Sequence, residues 1–404
     1  MNLGLSFNSK NKLTDNVIKI GHFINCLTPI LNFLEIYDKK FEHIIIVDDL
    51  NLYKSYKNKY KNVEVVYIKK SILYMFQLLK FLKNKKIKII HIQFFYFIFS
   101  IGNSNIKKMI TSSIQTIGIL FLSKLYGIKT IINLHQIIDD ITKESSLQEF
   151  KNKKHLNNIV RIFNRIVFCN TNAVIVFTEN QSNLVKKYCK KINLSVIPFG
   201  VEKINPVKEK HEYFTFLYFG YIRKNKGVLD LLNAFEILSQ KYKNIKLIII
   251  GGKNKFDAYD PEEYYLNVVK KTKELSRKYN IEYYFEYVED SFILNTINKV
   301  DVIVLPYIDL NNEISAVVTN FMDAGIPFVC TETPRFTSML TRDEAIFYPP
   351  GNVLKLSEAM EKLYLNEDLR NFISRNLKNK AINLYWENIA KLYYNLYEKL
   401  YRKI

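Results

Sequence analysis

Apolar runs of strand length alternate with helix-length segments along this chain, and the alternation begins again after residue 211. Strand-like runs fall at residues 3–7, 43–47, 64–68, 87–92, 130–134, 173–177 and 195–197, with helical patterns at 17–37, 71–82, 107–125, 156–168 and 181–189 between them. A charged segment with Pro206 follows, at 200–211, and then strands at 214–219, 246–250, 282–286, 302–305, 328–330 and 345–348. Short runs dense in Ile, Val and Leu suit strands buried on both faces, and strand–helix alternation builds parallel sheets covered by helices. The expected fold class is α/β, with two doubly wound parallel-sheet domains joined through 200–211, and 404 residues suffice for two such cores. A last helical pattern spans 382–401. In such sheets ligands bind beyond the carboxyl ends of the strands.

The strongest local motif lies at such an end. The strand at 213–219 runs into Gly220, and a short loop then presents Arg223 and Lys226 before Gly227. Gly227 opens an amphipathic helix carrying Leu231, Leu232, Phe235 and Leu238. Backbone N–H groups and the helix dipole favour an anion there, and the two cations neutralise it, which suits a phosphate-bearing ligand. A pair of solvated loop cations is the plain alternative. Downstream, the strand at 301–305 stops at Pro306, and a loop, a helix, Gly325 and another strand follow. Ser315 is an N-cap in this pattern and directs a second helix N-terminus to the same sheet edge. No Walker sequence or zinc-type Cys/His spacing is present, and Gly251-Gly252 lacks the rest of a dinucleotide fingerprint.

These two blocks resemble the donor-nucleotide half of glycosyltransferase family 4, retaining enzymes of GT-B fold. Asn172-Ala173-Val174-Ile175-Val176-Phe177-Thr178-Glu179, Val196-Ile197-Pro198-Phe199-Gly200-Val201, Ile90-His91-Ile92-Gln93 and Asn133-Leu134-His135 resemble further family segments in the right order. The resemblance runs from about residue 88 to about 350. It implies a GT-B architecture in which two Rossmann-like domains face a cleft. Residues 1–200 would form the N-terminal acceptor-binding domain, 201–380 the nucleotide-sugar-binding domain, and 381–404 a C-terminal helix crossing back to the first.

The resemblance also implies residue roles. Arg223 and Lys226 bind the donor diphosphate, although many members place the Arg where this chain has Tyr221. Ser315, Ala316 and Val317 offer backbone N–H groups to the phosphates. Glu313 and Asn320 occupy the region of the family's paired glutamates; spacing back from Gly325 puts Asn312 and Asn320 at those places, so Glu313 is off by one. An Asn amide still bonds a ribose hydroxyl, because it both donates and accepts. His135 bonds the donor sugar and, with Glu313, makes the catalytic pair, while Tyr287 and Val288 contact the base. His91 sits within a strand and is expected in the core. The implied reaction moves a hexose, with retention, from a nucleoside-diphosphate sugar to a glycan or lipid-linked glycan in surface polysaccharide or glycoconjugate biosynthesis. It takes the nucleotide sugar as substrate and needs no metal or cofactor. A catalytically silent GT-B partner subunit, binding membrane or glycan, is the alternative.

Composition bears on location and partners. The most apolar run, 89–101, is interrupted by His91 and Gln93 and is too short to cross a bilayer. No signal-peptide pattern is present at the start, and Cys26, Cys169, Cys189 and Cys330 lack metal-like spacing, which fits reduced thiols in the cytoplasm. The net charge of +20 is uneven: residues 1–200 hold 30 Lys and Arg against 12 Asp and Glu, and residues 201–404 hold 29 against 27. Such a basic half attracts anionic lipid, acidic glycan or nucleic acid, or is simply a solvated lysine-rich surface. No nucleic-acid module is recognisable, so nucleic acid is not an expected partner. A peripheral position on the inner face of an anionic membrane is expected. The aromatic run at 94–99 is either core or an apolar lip.

Overall fold

The computed structural model of the chain describes residues 18–23, 41–59, 63–71, 73–94, 105–139, 156–204, 206–207, 209, 211–253, 262–286, 288–309 and 314–402. The expected strand at 3–7, most of the expected helix at 17–37, Cys26, residues 95–99, Tyr287 and Glu313 lie outside these. Contact density divides the chain into two compact units. One is Met1–Asn133 with Asn170–Val174 and Ala390–Ile404, and the other is Leu134–Cys169 with Ile175–Ile389.

The elements of the first sheet, in chain order, are Ile18–Phe23 (β1), Phe41–Val47 (β2), Leu50–Lys59 (α1), Glu64–Tyr67 (β3), Tyr74–Asn84 (α2), Ile87–Phe94 (β4), Asn105–Leu125 (α3), Lys129–Leu134 (β5), Leu156–Asn170 (α4), Ala173–Val176 (β6), Glu179–Tyr188 (α5) and Leu194–Val196 (β7). The strands lie in the order β3-β2-β1-β4-β5-β6-β7. β1 pairs parallel with both β2 and β4, so the strand order reverses beside it. Burial on both faces explains why β4 is apolar almost throughout: Ile87, Ile89, Ile90, Ile92 and Phe94 are each at most 2% exposed. Phe94, the described member of the aromatic run, is thus core. β1 corrects the expected helix over 17–37, because Ile18–Phe23 is extended. Pairing with a strand on each side outweighs a local helical pattern there.

The second sheet follows, with Phe214–Phe219 (β8), Val228–Lys241 (α6), Ile245–Ile250 (β9), Glu262–Ser276 (α7), Ile281–Tyr284 (β10), Asp290–Ile297 (α8), Val302–Leu305 (β11), Ala316–Phe321 (α9), Phe328–Thr331 (β12), Pro334–Thr337 (α10), Ala345–Tyr348 (β13), Val353–Leu365 (α11), Glu367–Leu384 (α12) and Trp386–Tyr401 (α13). All its pairs are parallel, in the order β10-β9-β8-β11-β12-β13. The first strand, β8, therefore lies between the neighbours of an outward-running half and β11, which starts the return. The gap between their carboxyl ends is the switch point where doubly wound sheets hold ligands. The apolar face of α6, with Leu231, Leu232, Phe235 and Leu238 all fully buried, covers this sheet.

The single helix expected over 382–401 is broken. Tyr385 has φ −56° and ψ 142°, between α12 and α13. Its backbone is bridged to Val201, Val201 N–H donates to Leu384 O at 2.8 Å, and the Tyr385 hydroxyl donates to Asp323 Oδ1 at 2.6 Å. These partners hold the residue extended against its helical neighbours. Trp386 then packs where Gly200 has no side chain; a Cβ there would meet the indole at 2.2 Å.

Within the first unit, α13 is fixed by a buried polar relay. Asn133 Nδ2 donates to Gln93 Oε1 (3.0 Å) and to the Tyr393 hydroxyl (2.9 Å). Gln93 Nε2 lies 3.2 Å from His91 Nε2, and His91 Nδ1 lies 2.8 Å from the Tyr397 hydroxyl. An amide NH2 only donates, so His91 Nε2 accepts and Nδ1 carries the proton toward Tyr397. His91 is thus a core residue, 1% exposed. Tyr393→Phe strips one acceptor from the buried Asn133 amide. We expect a loss of about 1–3 kcal/mol in urea-unfolding stability, and an unchanged midpoint would show that the relay contributes nothing.

Candidate functional site

The candidate site is built on the two loops that leave β8 and β11. Pairing of β8 with β9 continues past the strand ends, through Gly220 N–H to Ile250 O (3.0 Å) and Ile222 N–H to Gly252 O (3.1 Å). The backbones approach so closely that a Cβ on Gly251 would stand 1.8 Å from Gly220 O. Tyr218 donates to Tyr221 O at 2.8 Å, and Ile222 is 1% exposed, so the loop is pinned from below. Arg223 is extended, and Lys224–Lys226 form one 3-10 turn. Gly227 then takes φ 65° and ψ 27°, a left-handed conformation, and a Cβ there would lie 1.9 Å from Pro306 O. That contact brings the two loops together.

The facing loop begins Pro306, Tyr307, Ile308, Asp309. Lys226 Nζ stands 3.6 Å from the centroid of the Tyr307 ring, a cation–π contact, and the Arg335 guanidinium carbon is 5.8 Å from the same centroid. Burial holds the Tyr307 phenol well above its ordinary pKa, so it stays neutral. Asp309 accepts from Arg335 Nε and Nη2, both at 3.2 Å, and from Asn225 Nδ2 at 2.8 Å. Arg335 Nη1 also donates to Ile314 O at 3.3 Å, and Ile308 N–H donates to Asn225 O at 2.9 Å. Asn225, in the middle of the basic turn, is therefore latched to a buried ion pair at the end of β11. Side chains of Arg335 and Asp309 are only 6% and 7% exposed.

Arg223 and Lys226 are both half-buried in this loop pair. Ser315 occupies the N-cap of α9, but its hydroxyl makes no capping bond and its N–H donates to Met339 Sδ at 3.2 Å. Ala316 and Val317 stand in the first turn, where N–H groups have no acceptor within the helix. Asn320 lies exposed on the same short helix, and Val288 is half-buried beyond β10. Asn225, Tyr307, Asp309 and Arg335 are the residues that sequence reasoning missed. A cavity of about 450 Å³ lies elsewhere in this unit, lined by Tyr213, Lys246, Glu282, Tyr284 and Lys299 among others, and shares no residue with the basic turn.

His135 follows β5 and is 9% exposed, with the Phe177 ring edge-on at 5.0 Å. Burial lowers its pKa from 6.5 to about 3, so the ring is neutral at physiological pH and acts through hydrogen bonds rather than charge. The unfolded chain takes up this proton below its ordinary pKa and the folded chain only near the lowered one. Stability from this group is complete above pH 6.5 and is lost as pH falls toward 3. Denaturant stability should thus fall more steeply between about pH 7 and about pH 5 in the wild type than in His135→Gln; equal slopes would contradict the burial.

Known proteins match on this framework. Solved structures with the same fold include HepE from Anabaena in complex with UDP (TM-score 0.70, 12% identity, 95% of this chain and 100% of that one). A glycosyltransferase from Rickettsia africae (0.68, 14%, 96% and 100%) and sucrose-phosphate synthase from Thermosynechococcus elongatus (0.70, 11%, 96% and 100%) match equally. The fold is therefore α/β with parallel sheets, that of the GT-B glycosyltransferases. Residues 200–380, the segment that holds the basic turn, Tyr307, Asp309 and Arg335, match the family described as Glycosyl transferases group 1. The capsular polysaccharide biosynthesis glycosyltransferase CapM of Staphylococcus aureus is 23% identical over 249 residues, 56% of this chain. The match spans 62% of that relative's length.

Proposed function

We propose that this chain is a glycosyltransferase that moves a hexose, with retention, from a nucleoside-diphosphate sugar to a glycan or lipid-linked glycan acceptor in surface polysaccharide biosynthesis. The observation that carries this reading is the basic turn at the β8/β11 switch point, held by Gly227 against Pro306 and by Lys226 over Tyr307. HepE, which shares the fold, is also known in complex with UDP-glucose. In this reading Arg223 and Lys226 meet the diphosphate and stabilise its charge as the glycosidic bond breaks. N–H groups of Ala316 and Val317 add to that, Asn320 bonds the ribose, and Tyr287 and Val288 border the base. Glu313 and His135 bond the sugar. The cations do the work that a metal does elsewhere, so no metal is required.

Thermal shift with UDP-, GDP- and CMP-sugars, followed by a hydrolysis assay, tests the proposal. One nucleotide class should raise the melting temperature, and its sugar should be released or transferred. No shift with any of them would remove the donor site. Asn320, where the resembled family places a glutamate, favours a second reading, a silent GT-B subunit; binding without turnover for every acceptor would select it.

A further inference from the structure

α3 is amphipathic in the wrong sense for a solvated helix. Its inward face mixes polar with apolar groups: Ser112, Thr116, Ser123 and Ile119 are fully buried, Leu120 is 2% exposed and Gln115 is 6% exposed. Two of those groups are tied locally: Gln115 Nε2 donates to Ser71 O at 3.0 Å and Thr116 Oγ1 to Ser112 O at 2.7 Å. The outward face carries Ile110, Ile114, Phe121 and Leu125, which are 49%, 63%, 60% and 68% exposed. Steps of four, seven and four residues put them on one stripe of a helix. α2 packs on α3 at Gly118, against Met75, and Phe76 of α2 and Leu73 just before it are also exposed. Surface apolar side chains are ordinary one at a time, but a continuous stripe of this kind marks a docking face.

Charge identifies what covers it. α3 contains no acid and has Lys107 and Lys108 near one end and Lys124 near the other. Lys83 of α2 stands 5.4 Å from the ring centroid of Tyr126, just past α3. Between residues 51 and 134 there are fifteen lysines and one acid, Glu64. Two copies of such a surface repel each other, whereas an anionic bilayer attracts it and also accepts the apolar stripe. Among the described residues no helix is long and apolar enough to cross a membrane, so α3 would lie in the interface plane.

We infer that α3 is a membrane-docking helix, seating Ile110, Ile114, Phe121 and Leu125 in the headgroup–acyl boundary of an anionic bilayer with the flanking lysines on the headgroups. This deepens the proposed function, on which it rests for its biological sense, by giving the lipid-linked acceptor a place of approach. The docking itself is independent of turnover. It is tested with the full chain and vesicles of phosphatidylcholine alone or with phosphatidylglycerol, at low and high salt. The wild type should sediment with the anionic vesicles and be partly released by salt, and Ile114→Ser/Phe121→Ser should bind at least about tenfold more weakly. That variant should keep its melting temperature and its nucleotide response. Phe121→Trp should emit at shorter wavelength on binding and be quenched by brominated lipid, read against the one native tryptophan, the buried Trp386. Unchanged sedimentation of the double serine variant, or no wild-type binding, overturns the inference. So does a wild-type dimer in sedimentation equilibrium that the serine variant dissolves, which would make the stripe a self-association face. Loss of vesicle binding with nucleotide binding intact leaves the donor-site reading untouched.

Discussion

Replacing Arg223 and Lys226 together by alanine should abolish measurable nucleotide binding while the protein stays folded. Each cation forms a charge-assisted bond to phosphate of about 1.5–3 kcal/mol in the proposed complex, so the pair accounts for about two to four powers of ten in affinity. The fold should tolerate the change because the loop is fixed by other groups: Gly227 at Pro306, Asn225 at Asp309 and the Tyr218 hydroxyl at Tyr221 O. Lys226→Ala also loses its contact with the Tyr307 ring, worth about 0.5–2 kcal/mol, and is expected to be the more damaging single change. Exposed Lys224, on the same turn, should matter less. Titration calorimetry with the nucleotide found by thermal shift decides this. Wild-type affinity in the double variant would mean that the anion site lies elsewhere.

The second large effect concerns stability. Arg335→Met leaves the Asp309 carboxylate buried without its partner cation, and breaking such a pair costs about 3–5 kcal/mol. Adding Asp309→Asn removes the stranded charge, so the double variant should recover part of the loss, a coupling that a mutant cycle measures directly. Because Asn225 hangs from the same carboxylate, Arg335→Met should also weaken nucleotide binding without touching the ligand. Urea unfolding and calorimetry on the same samples separate the two consequences. A loss below about 1 kcal/mol would show the pair to be solvated rather than buried.

Parallel strands buried on both faces announce themselves, and the expected strands from 43 to 348 lie within two residues of those observed, among the described residues. The β8–Gly220–Lys226–Gly227 passage was legible because a strand, two glycines and a basic turn are all local. The Arg335–Asp309 latch was not: its partners are 26 positions apart and obey no period. β1 was misread because its extended state is imposed by neighbours on both sides, and the bend at Tyr385 because Val201 and Asp323 impose it. The helical period located α3, expected at 107–125, but a period cannot say which face turns inward. Here Ser112, Thr116 and Ser123 turn inward with Ile119 and Leu120, and Ile110, Ile114, Phe121 and Leu125 are left outside.

The first unit is completed by chain that is made after the second sheet. Its core includes Tyr393 and Tyr397, which close over Asn133 and His91, yet about 250 residues separate Asn133 from Ala390. On the ribosome, the first sheet must wait with one polar patch uncapped while the intervening unit is synthesised. Quality control is thereby built into the order of synthesis: a chain cut short after the second sheet lacks the residues that finish the first, and so remains open to chaperones and proteases from its amino-terminal side.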